Sequence, residues 1–410
     1  MQFAFPYICL MLAACITTLL LTPLAHRLAH RLDAVDYPSK RRINTKPIPR
    51  LGGLAVFGGL IVACILQIYG TIVWGWPSAL IPHPSMASID YPMLAVSFLA
   101  IVITGAADDI VQLSPKTKLA GQVLAAIIAT AGGLLIHSVV NPFASGATIE
   151  LGWLAYPITV IYLVAYANII NLIDGLDGLA TGISAIASLS MFSFAVLAGR
   201  VDAAALSIAL FGACVGFLRY NFHPASIFLG DSGSLLLGFA LGTISLLNVS
   251  RTAALTSLII PLIVAGVPIL DTFSAIIRRV RAHVSIGQAD KGHIHHRLIQ
   301  EGYDQRQAVL LIYAWCILLS IGASVINQVS VVWRVVIFIV LLACSAAFAF
   351  KLHLFEPVLL HHYNPKTHED ELVCPEDAAF AQEEHAEQEQ HERTLERLGF
   401  HRRRRKRKQR

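Results

Sequence analysis

Long apolar runs dominate the chain, and short polar segments or glycine- and proline-containing breaks separate them. Each run approaches the roughly 20 residues that a helix needs to cross the hydrocarbon core of a bilayer. The pattern predicts an all-α, polytopic helical bundle rather than a barrel, because the runs do not alternate apolar and polar positions. Eleven spans are predicted, at about residues 4–24, 51–70, 91–107, 117–137, 153–171, 179–198, 202–218, 234–249, 252–272, 306–326 and 332–353.

Basic residues in the connecting segments predict the orientation of the bundle. Seven lysines and arginines lie within residues 25–50 and six within 273–306, whereas the opposite loops carry only Arg200, Arg251 and Arg334. Lys and Arg concentrate in cytoplasmic loops, so an odd number of spans places the N-terminus outside and the C-terminus in the cytoplasm. The first run lacks a basic start and a small-residue cleavage site, and we expect it to be a retained span.

Composition excludes a soluble domain, since 56% of the 410 residues are hydrophobic and only 14% are charged, against about a quarter charged in soluble proteins. The seven scattered cysteines do not form a disulfide framework. We expect a membrane domain over residues 1–355 and a charged cytoplasmic tail over residues 356–410. The tail is either a solvated, topology-fixing segment or one whose terminal basic cluster contacts anionic lipid. Neither alternative gives it a catalytic role.

Acidic residues are placed unevenly along the predicted membrane domain. Eleven of the fifteen that precede the tail fall on the predicted cytoplasmic side, although Asp and Glu contribute little to topology. Acids at the ends of apolar spans are costly unless they are paired or bind a metal. They therefore indicate a functional site, and they fall into four groups.

The first group is Asp108 and Asp109, which close the third span and precede Lys116 and Lys118. Two adjacent carboxylates could share a cation or cap the next helix, and the lysines favour anion handling because an ammonium is a point charge suited to phosphate. The second group is Asn171, Asp174 and Asp177, spaced by three residues in N-L-I-D-G-L-D-G. At a helix end, this spacing places the three side chains on roughly one face.

The third group is the segment F-L-G-D-S-G-S, in which Asp231 lies between two glycines at the membrane surface. Asp231 could bind a metal or cap the following helix, and the ring of Phe228 could stack on a base. The fourth group is D-K-G-H-I-H-H-R, with His293, His295, His296 and Arg297. Its histidines are too closely spaced for three ligands of one zinc ion, so hydrogen bonding to an anionic, polyhydroxylated substrate is favoured over zinc, and a merely basic loop is the alternative.

Together the groups predict one cytoplasm-facing site with acids enough for a divalent cation and bases enough for phosphates. Hard oxygen ligands at a site that handles phosphates are typical of Mg²⁺. The chemistry indicated is phosphoryl transfer at a membrane surface, between a water-soluble substrate and a lipid. A transporter for a lipid-linked sugar is the competing class, but transporters place polar groups near the bilayer midplane and within repeated halves.

The motifs N-L-I-D-G-L-D-G, F-L-G-D-S-G-S and D-K-G-H-I-H-H-R-L resemble those of the polyprenyl-phosphate N-acetylhexosamine-1-phosphate transferases, glycosyltransferase family 4. The resemblance covers about residues 1–350 and is greatest to the bacterial undecaprenyl-phosphate N-acetylglucosaminyl-1-phosphate transferases. It implies transfer of N-acetylglucosamine-1-phosphate from UDP-N-acetylglucosamine to undecaprenyl phosphate, with release of UMP. This would be the first lipid-linked step of a cell-envelope polysaccharide such as teichoic acid or O-antigen. The same chemistry on UDP-N-acetylmuramoyl-pentapeptide is the alternative within the family.

The resemblance also implies roles for individual residues. Asp108, Asp109 and Asp231 look like the catalytic aspartates, the first two at the lipid phosphate and the third on the metal. Asn171 resembles its neighbour on the metal. The resemblance assigns substrate binding to eight further residues, namely Lys118, Asp174, Asp177, Phe228, His293, His295, His296 and Arg297. One departure is Asn44, where family members commonly have His.

Cofactor, partners and location follow from the same resemblance. We expect Mg²⁺ or Mn²⁺ as the cofactor, a UDP-sugar donor, a polyprenyl phosphate acceptor, and a homodimer. No nucleic-acid partner is expected. The chain is expected in the inner (plasma) membrane, with its active site on the cytoplasmic face.

Overall fold

A computed structural model describes most of the membrane domain and little of the tail. The described residues are 2–37, 47–81, 89–140, 148–249, 266–281, 294–326, 329–352, 360–364 and 369–373. The chain forms two compact units. The first comprises Met1–Leu270 and Gly302–Ser345, and the second comprises Asp271–Glu301 and Ala346–Arg410.

Helices make up nearly all of the described chain. In order they are α1 (Ala4–Arg31), α2 (Gly52–Val73), α3 (Tyr91–Val111), α4 (Pro115–Ala131), α5 (Ala155–Ile173), α6 (Leu179–Leu197), α7 (Val201–Asn221), α8 (Gly230–Val249), α9 (Gly266–Arg281), α10 (Ile294–Gln300), α11 (Gln305–Ile326) and α12 (Val331–Lys351). The described residues also form three antiparallel strand pairs: β1 (Val35–Asp36) with β2 (Ile48–Pro49), β3 (Ser138–Val140) with β4 (Thr148–Glu150), and, after the last helix, β5 (Leu360–Asn364) with β6 (Glu369–Val373).

Eight helices of the described chain are long and apolar enough to cross a membrane, namely α1, α2, α3, α5, α6, α7, α8 and α11. They coincide with eight of the eleven predicted spans, and the prediction of a helical, multi-pass membrane protein is confirmed. The predicted span at 332–353 corresponds to α12, whose apolar part is Val332–Phe348. Most of the predicted span at 252–272 lies outside the described residues, and α9 contains its last residues.

Helix α4 is shorter than the sequence pattern predicts. The apolar run continues to about residue 137, but the helix ends at Ala131, and Gly132 and Gly133 follow. Gly133 has φ +87°, a left-handed conformation that glycine adopts without steric cost and that ends the helix. At its other end, Ser114 caps α4 by accepting from the Thr117 amide, with Pro115 at the first helical position.

Helix α8 lies at the centre of the first unit, where α2, α3, α5, α6 and α7 all pack against it. Its side chains Leu235, Leu236 and Phe239 are buried. The outward faces of other helices leave large apolar side chains such as Leu20, Ile72 and Ile161 more than half exposed. An apolar exterior around a well-packed interior is expected for a bundle that lipid surrounds.

The second unit contains the sequence around the fourth predicted group. Helix α10 begins at Ile294, and the Ile294 amide donates to Oδ1 of Asp271 at 2.7 Å. Asp271 is buried and therefore fixes the start of this short helix against α9. His295, His296 and Arg297 lie on α10, and the tail contributes the β5–β6 pair.

Candidate active site

One residue from each of the first three predicted groups lies where α3, α4, α5 and α8 begin or end, and these residues are Asp108, Asn171 and Asp231. Lys118, in the first turn of α4, lies at the centre of this cluster. Its Nζ is 2.8 Å from Oδ2 of Asp231 and 3.2 Å from Oδ2 of Asp108. The same ammonium donates to Oδ1 of Asn171 at 3.4 Å. The Lys118 ammonium therefore contacts side-chain oxygens from the three other helices. We call Lys118, Asp108, Asn171 and Asp231 the Lys118 cluster.

Asn171 links the end of α5 to the start of α8. Its Nδ2 donates to Oδ1 of Asp231 at 2.5 Å and to Oγ of Ser234 at 2.8 Å. Ser234 in turn donates to the carbonyl of Gly230 at 3.0 Å. Because its amide nitrogen is used on α8, the oxygen of Asn171 is directed to the cation side of the cluster.

The adjacent carboxylates Asp108 and Asp109 have different surroundings. Asp108 contacts Lys118, and its Oδ1 accepts from the Leu113 amide at 2.6 Å, which closes the turn after α3. The oxygens of Asp109 accept from the amides of Asp231 at 2.8 Å and Ser232 at 2.9 Å. Nε of Arg50 lies 3.8 Å from Oδ1 of Asp109. Asp108 therefore belongs to the Lys118 cluster, whereas Asp109 accepts hydrogen bonds from the first amides of α8.

The backbones of α2 and α8 approach each other beside Asp231. A Cβ added to Gly53 would overlap the backbone of Gly233. The Gly53 amide also donates to the Leu229 carbonyl at 2.9 Å. Glycine at position 53 therefore lets α2 pack directly against the turn that positions Asp231.

A pair of amide side chains lies one turn further along α4 and α5. Nδ2 of Asn168 donates to Oε1 of Gln122 at 2.6 Å, and Nε2 of Gln122 lies 3.4 Å from Oδ1 of Asn168. Gln122 follows Lys118 by four residues and Asn168 precedes Asn171 by three, so each pair shares a helix face. These amides fix α4 against α5 below the site, and they were not among the predicted site residues.

Asp174 follows the end of α5. Burial, together with the charges of Asp231 and Asp109, raises its pKa to about 8. The raised pKa favours the protonated form of this carboxyl group, and that form can donate a hydrogen bond.

Asp177 anchors the segment that leads into α8. Its Oδ2 lies 2.8 Å from Nδ1 of His223 and accepts from the Ala225 amide at 3.0 Å. The backbone of Phe228, further along this segment, makes two hydrogen bonds. Its carbonyl accepts from the Gly52 amide at 3.1 Å, and its amide donates to the Pro49 carbonyl at 2.8 Å. His223 was not predicted, because only the fold brings it to Asp177.

The fourth group belongs to the second unit. His293 lies outside the described residues, and for His295 and His296 the structure gives only their position on α10. The side chain of Arg297 is largely buried in the second unit.

The donor set around Lys118 fits a divalent cation. Among the described residues, no three His, Cys, Asp or Glu side chains form a complete metal site. Mg²⁺, however, is usually held by one or two carboxylates, with waters and substrate phosphates completing its coordination. Asp231, Asp108 and the oxygen of Asn171 already surround one positive charge. Asp231 and Asn171 are therefore the residues that could hold Mg²⁺ or Mn²⁺.

Comparison with known protein families places the centre of the chain in a described family. Residues 91–249 match the family described as glycosyl transferase family 4. This region contains α3 to α8 and thus every residue of the Lys118 cluster.

Individual proteins match over a longer part of the chain. The probable undecaprenyl-phosphate N-acetylglucosaminyl 1-phosphate transferase of Bacillus subtilis (strain 168) is 41% identical over 316 residues, 77% of this chain and 84% of the relative. The decaprenyl-phosphate N-acetylglucosaminephosphotransferase of Mycobacterium leprae (strain TN) is 36% identical over 76% and 82% of the two chains. The phospho-N-acetylmuramoyl-pentapeptide-transferase of Moorella thermoacetica is 30% identical over 75% and 95%.

Proposed function

The chain belongs to glycosyl transferase family 4, in its polyprenyl-phosphate sugar-1-phosphate transferase group, and from this premise we propose its reaction. The protein transfers N-acetylglucosamine-1-phosphate from UDP-N-acetylglucosamine to undecaprenyl phosphate. The products are undecaprenyl-diphosphate N-acetylglucosamine and UMP. This is the first lipid-linked step in the synthesis of a cell-envelope polysaccharide.

The relatives support N-acetylglucosamine as the sugar. The proteins named for that sugar are 41% and 36% identical to the chain, whereas the Moorella protein named for the muramoyl-pentapeptide is 30% identical. The muramoyl-pentapeptide donor is therefore the second candidate, and the reaction type is the same for both.

The convergence of Asp231, Asn171 and Asp108 on one ammonium supports this reaction most directly. We propose that Asp231 and Asn171 hold Mg²⁺ or Mn²⁺. A divalent ion held there would supply positive charge to the diphosphate of the donor and to the leaving UMP. Lys118 lies beside these residues and is placed to bind a phosphate oxygen of either substrate as a point charge.

The reaction requires little acid–base help from the protein. An oxygen of the lipid phosphate forms a bond to the sugar-bearing phosphorus, and the bond from that phosphorus to the oxygen of UMP breaks. The second pKa of a phosphate monoester is near 6, so the nucleophile is largely dianionic at neutral pH. Positioning and charge neutralisation by the Lys118 cluster then account for most of the barrier reduction.

Asp108 is the carboxylate best placed to act at the lipid phosphate, because its side chain is 13% exposed and contacts Lys118. It orients the acceptor through Lys118 and removes a remaining proton at lower pH. We assign Asp174, whose pKa is raised, to binding of the nucleotide together with Asp177 and Phe228. His293, His295, His296 and Arg297 are assigned to the sugar and diphosphate.

We propose the predicted topology together with this function. Eleven spans place the N-terminus outside and the C-terminal tail in the cytoplasm of the inner membrane. The Lys118 cluster then faces the cytoplasm, where the UDP-sugar is available. The basic segments at residues 25–50 and 273–306 support this orientation.

The experiment is lipid-dependent UMP release by the purified protein with Mg²⁺, comparing UDP-N-acetylglucosamine with UDP-N-acetylmuramoyl-pentapeptide. Asp231→Asn removes one of the two carboxylates of the Lys118 cluster. Asp202→Asn is the matched control, because Asp202 lies in the first turn of α7 and accepts a hydrogen bond from the Tyr91 hydroxyl. We expect release from the first donor only, its loss in Asp231→Asn and its retention in Asp202→Asn. Release from the muramoyl donor alone would move the protein to the second candidate function, and no release from either donor would refute both.

A further inference from the structure

Asp109 uses both carboxylate oxygens on the backbone of α8. Oδ1 accepts from the Asp231 amide at 2.8 Å, and Oδ2 accepts from the Ser232 amide at 2.9 Å. The first amides of a helix have no partner within the helix. A carboxylate from α3 therefore supplies the N-terminal cap of α8, and it bonds the very residue that presents the Asp231 side chain.

The accessibility of the two adjacent aspartates separates their roles. The side chain of Asp109 is 0% exposed, whereas that of Asp108 is 13% exposed and that of Asp231 is 16% exposed. A phosphate of a lipid substrate could reach the second and third of these carboxylates. It could not reach Asp109 without first breaking the cap.

Gly230 fits closely around this cap. Its φ is +72°, a conformation that residues with a side chain rarely adopt. A Cβ at this position would also lie 2.6 and 2.8 Å from the two oxygens of Asp109. The backbone before Asp231 is thus shaped to accept the Asp109 carboxylate at short range.

Arg50 connects the cap to the segment before α2. Its Nε lies 3.8 Å from Oδ1 of Asp109, and its Nη1 lies 3.4 Å from Oδ1 of Asp36. One guanidinium thus lies near two carboxylates, one on β1 and one on α3. Arg50 therefore ties the Asp109 side chain to the segment that leads into α2.

We propose that Asp109 is a positioning residue that acts through Asp231, and that it does not contact the lipid phosphate. Asp109 fixes the first turn of α8 so that the Asp231 carboxylate faces Asn171 and Lys118. This inference rests on the proposed function for its kinetic consequences, but the cap itself can be measured without substrates. It also divides the adjacent aspartates into one substrate-facing residue, Asp108, and one backbone-facing residue, Asp109.

The test uses three isosteric variants of the full-length protein in lipid nanodiscs: Asp109→Asn, Asp108→Asn and Asp90→Asn. Asp109→Asn leaves one side-chain oxygen in place of two, so only one of the two backbone amides keeps its acceptor. Asp90→Asn is the matched control, because Asp90 caps the opposite end of α3 through the Met93 amide at 3.0 Å. Asp109→Ala, which removes both acceptors, extends the series if it folds.

The first readout is hydrogen–deuterium exchange of peptides covering residues 229–236, without substrates. We expect exchange of the Asp231 and Ser232 amides to be at least about 10-fold faster in Asp109→Asn than in wild type, since their acceptor is weakened. Neither Asp108→Asn nor Asp90→Asn should accelerate it. Unchanged exchange in Asp109→Asn would overturn the proposal, whether or not the protein is an active transferase.

The second readout separates positioning from lipid binding. We expect Asp109→Asn to bind Mn²⁺ about 10-fold more weakly, as measured by electron paramagnetic resonance of free Mn²⁺. Its kcat should fall at least about 10-fold with little change in KM for polyprenyl phosphate. A raised lipid KM with unchanged Mn²⁺ affinity would make Asp109 a direct lipid ligand. If wild type shows no lipid-dependent UMP release, the proposed function fails, while the exchange and Mn²⁺ measurements still decide the role of Asp109.

Discussion

Gly53→Ala adds one methyl group where α2 packs against the start of α8. That methyl group would overlap the backbone nitrogen and Cα of Gly233 and the carbonyl carbon of Ser232. All three atoms belong to the backbone of α8, so no side-chain rotation can relieve the overlap. The two helices must separate at this point, and Asp231 lies at the moving end.

The size of the effect follows from this contact. Non-bonded carbon atoms pack at about 3.5–4.0 Å, so the helices must separate by more than about 1 Å to admit the methyl group. Overpacking of this kind costs about 1–3 kcal/mol. A catalytic group displaced by about 1 Å can lose about 100-fold in rate. The Gly53 amide bond to Leu229, 2.9 Å long, would be stretched by the same movement.

The assay is steady-state UMP release together with thermal unfolding. We expect kcat of Gly53→Ala to fall about 100-fold while the protein stays folded. Gly58→Ala is the matched control on the same helix, because its added methyl group would meet only Cδ1 and Cγ of the Leu21 side chain. Leu21 can change rotamer, so Gly58→Ala should retain activity within about 2-fold.

Wild-type activity in Gly53→Ala would refute this reasoning, because it would mean that α8 can move without disturbing Asp231. Equal losses in Gly53→Ala and Gly58→Ala would refute it differently. In that case any added methyl group on α2 would be harmful, and the contact with Gly233 would have no special role.

Three other perturbations test separate parts of the site. Lys118→Met should bind Mn²⁺ more tightly than wild type when substrates are absent, because the ammonium no longer competes for Oδ2 of Asp231. The same substitution should lower kcat. Weaker binding of Mn²⁺ by the variant in a titration would contradict the expected competition. Asp174 has a pKa of about 8 in the folded protein and about 3.9 in the unfolded chain. Between these pH values the folded state binds more protons than the unfolded state, so the free energy of unfolding should fall as the pH rises. Asp174→Asn should flatten this dependence in unfolding experiments between pH 5 and 8, and an unchanged slope would be inconsistent with a raised pKa of Asp174. Asp177→Asn should lose about 1–3 kcal/mol of stability through its bonds to the His223 segment, and an unaltered melting temperature would show that those bonds contribute nothing.

Sequence periodicity predicted the membrane helices well, because a lipid-crossing helix must be apolar over most of its length. Helix ends were harder to predict. The apolar pattern of α4 continues past Ala131, where the conformation of Gly133 ends the helix. At α1 the helix instead continues past the apolar run to Arg31, since no breaker follows and a basic last turn suits a helix C-terminus.

The convergence of Lys118, Asn171 and Asp231 was expected from their positions at span ends and is found in the structure. The division of labour between Asp108 and Asp109 was not predictable. The side chains of consecutive helical residues point about 100° apart. Only the packing of α8 against α3 decides whether Asp108 or Asp109 accepts from the first amides of α8.

Contacts that depend on distant segments were also missed. Arg50 precedes α2 in a basic stretch that reads as a topology signal, yet its side chain lies between Asp36 and Asp109. Gln122 and Asn168 are isolated polar residues within apolar runs, and their pairing needs α4 and α5 to be neighbours. Such contacts follow from tertiary structure and not from a local pattern.

The central claim is that a phosphorylated sugar, and not the sugar alone, moves to the lipid. It is tested most directly with UDP-N-acetylglucosamine labelled with ³²P in the sugar-bearing phosphate and with tritium in the sugar, incubated with the purified protein, undecaprenyl phosphate and Mg²⁺. We predict that both labels enter the lipid fraction in equal amounts and that UMP is released unlabelled. Tritium in the lipid with the ³²P left on UDP, or no label in the lipid, would contradict this claim.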